Sequence, residues 1–156
     1  MNLQPNKAVY LEQYGDTLVK GAEYTQALEV YEKLLAIRKK DFATLRKIKN
    51  IHLKTSPVPL KVEALKRFIQ EYPLSGESYL ELALLLEQLK LYPQALNVLK
   101  KYEQLNPADE KTYIYLAMVY EKLGEKDEMA KVLNKAIKID PHLGQQPAMK
   151  KALSMQ

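Results

Sequence analysis

Residues with the chemistry for catalysis or metal binding are few in this sequence, and they do not form a group. The two histidines, His52 and His142, lie far apart, with no cysteine or carboxylate at a metal-ligand spacing. The sequence contains no cysteine, which excludes thiol nucleophiles, disulfides and thiolate metal sites. Its five glycines are isolated, so there is no phosphate-binding loop. We therefore expect no catalytic residue, no metal site and no cofactor.

Positive charge is concentrated in one part of the chain. The net charge is +5, and ten basic residues lie between Arg38 and Arg67 against two acidic ones, Asp41 and Glu63. We predict a basic patch in this segment, formed by Arg38, Lys39, Lys40, Lys47 and Lys49. Such a patch can attract an acidic peptide, nucleic acid or anionic lipid, or it can be a solvated face with no ligand.

Helical periodicity recurs along the chain every 34 residues. Apolar residues at i, i+3, i+4 and i+7, from Tyr113 to Tyr120, mark one face of a helix. Proline ends the second helix of a pair at Pro107 and again at Pro141. These ends divide the chain into four windows: 8–41, 42–75, 76–109 and 110–143. One helix pair cannot bury its apolar face alone, so we predict stacked pairs that form one domain over 1–156.

The residues that carry this pattern resemble the tetratricopeptide repeat family. The fourth window matches the motif of the family with Tyr113, Leu116-Ala117, Tyr120, Gly124, Ala136 and Pro141. The first and third windows match it with Tyr14-Gly15, Ala27 and Tyr31, and with Tyr79, Leu82-Ala83, Ala95 and Pro107. The resemblance implies an all-α fold, a right-handed α-solenoid of four helix pairs. It also implies that most tyrosines and methionines fill core positions, including Tyr14, Tyr31, Tyr79, Tyr113, Tyr120 and Met129.

The second window departs from the motif, and the chain continues beyond the fourth. Pro57 and Pro59 interrupt the turn of the second window, and Lys61 stands where a small residue is usual. We predict a degenerate helix pair at 43–54 and 60–71, which either only connects its neighbours or is reshaped around a ligand. At the C-terminus, we predict a capping helix at about 146–155, because the end of a stack of repeats must be covered.

The resemblance also implies a groove, because the first helices of successive repeats line one in this family. The corresponding partner-binding residues are Arg46, Asn50, Lys54, Leu80, Leu84, Ile114 and Met118. The four apolar ones either form a binding patch or pack against one another across adjacent helices. Some members of the family bind the C-terminal carboxylate of chaperones through basic and amide side chains. Here Glu12, Asp16 and Glu77 stand in such positions, so we predict no clamp of that kind.

These observations predict a non-catalytic adapter that binds an extended or helical segment of another protein, with some acidic character in the partner. The alternative is binding of nucleic acid or another polyanion through the basic second window. Purely structural stacking of chains end to end is a third class of function. No segment has the composition of a signal peptide or a membrane span, so we expect a cytoplasmic protein that is a monomer or self-associates weakly.

Overall fold

The computed structural model describes residues 4–154, and the chain divides into two compact units, Met1–Tyr72 and Pro73–Gln156. The first unit contains α1 (Gln4–Lys20), α2 (Tyr24–Ile37), α3 (Phe42–Thr55) and α4 (Val58–Glu71). The second contains α5 (Gly76–Gln88), α6 (Tyr92–Leu105), α7 (Glu110–Leu123), α8 (Lys126–Ile139), a 3-10 helix (Pro141–Gln145) and α9 (Pro147–Ser154). None of the helices in the described range is long and apolar enough to cross a membrane.

The all-α fold class is confirmed, and so is the helix pair predicted for the second window. The helices predicted at 43–54 and 60–71 are α3 and α4. The helix predicted at about 146–155 is observed as α9, and position 155 lies outside the described residues. The division of the chain into four repeats within a single domain stays a prediction.

Each unit is built from consecutive helices that pack in pairs. In the first unit α1 packs on α2, α2 on α3, and α3 on α4; in the second, α5 packs on α6, α6 on α7, and α7 on α8. The core of the first unit includes Ala27, Tyr31 and Leu34, which are almost completely buried. Gly15 allows α1 to approach this core closely, because a Cβ atom there would lie 2.5 Å from the ring of Tyr31.

Five of the six predicted core residues are buried, and one is not. Tyr31, Tyr79, Tyr113, Tyr120 and Met129 are all less than a tenth exposed. Tyr14 is 42% exposed and stacks on Tyr10 with 5.9 Å between the ring centroids. Its prediction as a core residue is therefore wrong. The buried stripe of α1 runs instead through Ala8, Leu11 and Leu18, and no earlier helix in the described chain covers the face that carries Tyr14.

One turn geometry recurs where the first helix of a pair meets the second. Ala22, Lys90 and Gly124 occupy the same position of the 34-residue period, and they have φ angles of 60°, 59° and 76°. In each case the next N–H group donates back across the turn to the preceding helix, as Leu91 does to the Leu86 carbonyl at 2.8 Å. The equivalent Ser56 has a φ of −92°. It precedes Pro57, and a residue before proline favours extended backbone angles.

Only one of these three left-handed residues is glycine, which predicts that the turns differ in strain. A side chain with a Cβ costs roughly 1–2 kcal/mol in this region, while glycine costs about 0.5–1 kcal/mol in lost chain entropy. We expect Lys90→Gly to raise the free energy of unfolding by about 0.5–1 kcal/mol, measured by urea denaturation. The matched change Gly124→Ala should lower it by about 1 kcal/mol. Equal stability of the two variants would contradict this account.

Candidate interaction surfaces

A cavity of about 420 Å³ lies on the first unit, lined by residues from α1, α2 and α3. The lining combines apolar, aromatic and charged side chains: Asp16, Val19, Lys20, Tyr24, Tyr31, Lys47, Asn50, Ile51 and Lys54. Two of the three groove residues predicted on α3, Asn50 and Lys54, lie here and are exposed. The third, Arg46, is not part of the lining, and its guanidinium lies 5.5 Å from the centre of the Phe42 ring.

The inner wall of this cavity is a network of charged and hydroxyl groups that joins three helices. Lys47 on α3 contacts the Asp16 carboxylate on α1 at 2.6 Å, and the hydroxyl of Tyr31 on α2 donates to the same oxygen at 2.6 Å. Glu12, one turn earlier on α1, pairs with Arg38 at 2.7 Å and lies 3.6 Å from Lys47. Glu12 and Asp16, two of the three carboxylates that argued against a chaperone clamp, therefore form ion pairs that join helices of the first unit.

This network changes the pKa of two of its side chains, Asp16 and Tyr31. Burial raises the pKa of Asp16, but the hydrogen bonds from Lys47 and Tyr31 outweigh burial and bring the pKa below its ordinary value of 3.8. Burial and the hydrogen bond to Asp16 raise the pKa of the Tyr31 hydroxyl. Asp16 is therefore ionised and Tyr31 is neutral at pH 7.

The basic patch predicted around α3 is largely paired with carboxylates. Of the ten basic side chains between positions 38 and 67, at least five form ion pairs within the described residues: Arg38, Lys40, Lys47, Lys66 and Arg67. Arg67, for example, contacts Glu32 on α2 at 2.5 Å. Most of the acidic partners lie outside positions 38–67. Counting charges within that segment alone therefore overestimated its exposed positive charge.

Lys49 does not belong to an exposed basic patch. Lys49 is only 5% exposed, and its ammonium group lies 5.2 Å from the centre of the Phe68 ring. The position faces α4, so the side chain covers an aromatic core residue through a cation–π contact. Lys39 and Lys40, in contrast, are exposed, and Lys40 pairs with Glu71 at 2.9 Å.

The four apolar groove residues of the second unit line two cavities instead of one patch. Leu80 and Leu84 line a cavity of about 550 Å³ whose other lining residues are mainly acidic: Glu77, Glu81, Asp109, Glu110, Lys111 and Tyr115. Ile114 and Met118 line a separate cavity of about 320 Å³ with residues of α8 and α9, including Met129 and Met149. Sequence reasoning missed α9 as a wall of this second cavity, because it treated the helix only as a cap.

Neither histidine takes part in a recognisable catalytic arrangement. His52 Nδ1 lies 2.9 Å from the Ser56 hydroxyl, one turn along the same helix. His142 is exposed, and its backbone N–H donates to the Asp140 carboxylate at 3.0 Å. Within residues 4–154 there is no group of three or more His, Asp or Glu side chains positioned to hold a metal ion.

The depressed pKa of Asp16 gives a stability prediction with a definite sign. A carboxyl group with a lower pKa in the folded than in the unfolded state stabilises the fold above its ordinary pKa, and this contribution is lost as the pH falls through the folded value. We expect Asp16→Asn to lower the free energy of unfolding by about 1 kcal/mol at pH 7, because its half-exposed ion pair is screened by solvent. The difference from wild type should shrink below about pH 4, where the wild-type carboxylate also becomes neutral.

The measurement is urea denaturation of both proteins at several pH values between 3 and 7. Tyr31→Phe serves as a companion variant, since it removes one hydrogen bond to Asp16 but keeps the buried ring. A stability difference between wild type and Asp16→Asn that is constant across this range would show that the ionised carboxylate contributes nothing.

Comparison with known proteins agrees with this architecture. Family models described as tetratricopeptide repeat match residues 11–42 and 110–143. A crystal structure of MamA protein is 22% identical with a TM-score of 0.67, and the alignment covers 97% of this chain and 86% of that chain. MamA 41-end from Desulfovibrio magneticus RS-1 is 19% identical with a TM-score of 0.66, over 96% and 88% of the two chains.

A third solved structure is YrrB, described as a TPR protein with an unusual peptide-binding site. It is 18% identical with a TM-score of 0.63, and the alignment covers 95% of this chain and 73% of that chain. No curated protein sequence matches the chain significantly. The motif residues and the two family matches show tetratricopeptide repeats at residues 11–42 and 110–143, and the solved structures share the fold of this chain.

Proposed function

We propose that this chain is a non-catalytic scaffold or adapter that binds an extended or helical segment of a partner protein. The observation that carries the proposal is the cavity on the first unit, where an apolar floor lies beside exposed lysines and an exposed amide. Surfaces of this mixed kind suit a peptide that buries one side chain and orients others through polar contacts. The peptide-binding site named for YrrB, which has the same fold, supports the same class of function.

The residues proposed to contact the partner lie on the first helices of the pairs. On the first unit, Asn50 and Lys54 line the cavity, and Arg46 is an outlying cation on the same helix. On the second unit, the contact residues are Leu80, Leu84, Ile114 and Met118. Met118 is 39% exposed and the other three are half-buried, so a partner can cover them further and gain roughly 25 cal/mol for each Å² of apolar surface buried.

The proposal includes a cytoplasmic location, no enzymatic activity and no cofactor. It also includes a monomeric or weakly self-associating state. The alternative function, binding of nucleic acid or another polyanion, has less support because at least half of the basic side chains between Arg38 and Arg67 already pair with carboxylates. A polyanion would have to compete with those ion pairs for the same ammonium and guanidinium groups.

Placing a carboxylate on the apolar contact residues tests the scaffold function. We expect Leu84→Glu and Met118→Glu, made separately, to reduce capture of the principal partner from the native lysate at least tenfold, because an unpaired charge would be buried at the interface. Leu105→Glu is the matched control: Leu105 is 40% exposed, close to the 39% of Met118, and it lies at the end of α6 outside both cavities. Capture is quantified by mass spectrometry, and far-ultraviolet circular dichroism checks folding.

Two results would contradict the proposal. The first is full partner capture by both glutamate variants while their helical signal matches wild type. The second is loss of every captured protein after nuclease treatment or in modest salt, which would instead favour polyanion binding. If Leu84→Glu does not fold, the more exposed Met118→Glu decides the question alone.

A further inference from the structure

One face of α1 is open, although the equivalent faces of later first helices are covered. Tyr10 and Tyr14 on this face are 63% and 42% exposed. The residues 34 positions later are Thr44 and Ile48 on α3, which are 1% and 3% exposed, and α2 packs on that helix. The equivalent residues of α7, on which α6 packs, are buried as well. No helix precedes α1 in the described chain, so this face of α1 is left uncovered.

Tyr10 is unsuited to the close helix packing found inside the two units. The equivalent position holds Thr44 on α3 and Thr112 on α7, which are 1% and 0% exposed. A tyrosine is much larger than a threonine, so a helix cannot approach α1 here as closely as α2 approaches α3. The Tyr10 ring instead stacks on Tyr14, with 5.9 Å between the centroids and 17° between the planes. Together the two rings form one broad aromatic surface.

Charged side chains are almost absent from this open face. With about 100° of rotation per residue, six exposed side chains of α1 lie within an arc of about 120° centred on Tyr10: Asn6, Lys7, Tyr10, Gln13, Tyr14 and Thr17. Lys7 is the only charged residue among the six. The exposed side of α2, in contrast, includes Glu29, Glu32 and Lys33. Aromatic residues without neighbouring charges are typical of the buried core of a protein interface.

We propose that this face binds the same face of a second copy of the chain, and that two α1 helices in antiparallel contact form a weak dimer. The two-fold axis passes midway between Tyr10 and Tyr14. Each Tyr10 then contacts Tyr14 of the other copy. This dimer specifies the weak self-association included in the proposed function, and the adapter function does not depend on it.

The position of the single charge favours the antiparallel arrangement. In a parallel contact, the two Lys7 ammonium groups would lie side by side and repel each other. In the antiparallel contact, Lys7 of each copy lies near the level of Thr17 of the other. The two Lys7 residues are then separated by about ten residues, or about 15 Å, along the helix axis. This distance exceeds the screening length of about 8 Å at physiological ionic strength, so their repulsion is small.

The area of the contact sets its expected strength. Together, Tyr10 and Tyr14 expose about as much surface as one whole tyrosine, roughly 150–250 Å². Two copies bring roughly 300–500 Å² of tyrosine surface to the contact, and the flanking amide and hydroxyl side chains add to it. The total stays below the ~1,200 Å² at which stable interfaces begin. We therefore expect a dissociation constant in the micromolar range, on the order of 10–100 µM.

The C-terminal helix favours a closed dimer over an open chain of subunits. Head-to-tail stacking would require α1 of one copy to pack on α8 of another, where α9 already packs and buries Met149. Contact of α1 with α1 uses the same surface of both copies, so assembly ends at two chains.

Sedimentation equilibrium of the full chain between about 5 and 500 µM tests the proposal. We expect the mean mass to rise from the monomer mass of 18.0 kDa toward twice that value. Tyr10→Gln and Tyr14→Gln should each weaken dimerisation about fivefold or more, because each removes an aromatic side chain from both halves of the contact. The double variant should remain monomeric. Both positions are exposed and glutamine favours helix, so circular dichroism should show an unchanged fold.

Val9→Gln is the matched control for the tyrosine variants. Val9 is 46% exposed, close to the 42% of Tyr14, and it lies on the same helix. Its side chain points about 100° away from that of Tyr10, outside the open face. This variant should dimerise as tightly as wild type.

Charge changes at position 17 test the antiparallel geometry. Thr17→Glu places a carboxylate near Lys7 of the other copy, and we expect it to tighten the dimer about threefold. Thr17→Lys places a second cation there and should weaken the dimer by about the same factor. The difference between these variants should shrink as the salt is raised from about 50 to 500 mM. Equal dimerisation of the two variants at low salt would overturn the antiparallel contact.

Three further outcomes overturn the dimer itself. They are a monomeric wild type at about 500 µM, undiminished dimerisation of the double tyrosine variant, and assemblies that keep growing beyond two chains. The adapter function fails separately, because the double tyrosine variant should still capture the natural partner. Loss of capture by this variant together with a monomeric wild type would assign the face to the partner. Full capture by Leu84→Glu and Met118→Glu would contradict the adapter function and leave the dimer standing.

Discussion

The fold depends on one constraint, which is that the apolar face of each amphipathic helix must be buried. A single helix pair leaves part of that apolar face exposed to water. Packing of the next helix buries the exposed part, as in the first unit, where α2 packs between α1 and α3. The side chains that meet this need recur at fixed positions, which is why Tyr79 and Tyr113 are buried at an interval of 34 residues. Packing thus dictates the period, and the period in turn determines which other side chains come together on the surface.

Electrostatics in the first unit is organised by this same period. The repeat places Glu12 and Asp16 on α1 opposite Lys47 of the next window, which contacts both carboxylates. Ion pairs between the two windows, such as Lys47 with Asp16 and Arg67 with Glu32, therefore reduce the exposed charge of the basic second window. Lys20 and Lys54 are among the cations outside these pairs, and both line one cavity. A ligand would sense this remaining charge and not the total charge of the segment.

The fold was predictable from the sequence because its signal is periodic and redundant. The helix pair at α3 and α4 could be located despite Pro57 and Pro59, since Ile48, Val62 and Leu65 keep the apolar spacing that both helices need. Prolines near the start of α4 are compatible with its first turn, where backbone N–H groups have no partner within the helix.

The surface was less predictable, because exposure depends on neighbours that periodicity does not identify. Tyr14 has a core position by motif but lies on the first helix, so its face is left open. Lys49 has a charged side chain, yet α4 covers it. The apolar groove residues of the second unit line two separate cavities, and this depends on α9. The helix packs beside α8 and adds Met149 to only one of the two cavities. Such contacts depend on how the helices pack in three dimensions, and the spacing of residues along the sequence does not predict them.

The separation of the two cavities on the second unit has a consequence for how partners could be distinguished. A segment with one anchoring side chain can occupy only one cavity, whereas a segment with two suitably spaced anchors can occupy both. The second anchor then binds at an effective concentration set by the chain between them, and overall affinity can rise by about 10²- to 10⁴-fold with no stronger individual contact. Spacing between anchors, more than the identity of either one, would then separate a cognate partner from the many proteins that expose a single leucine or methionine.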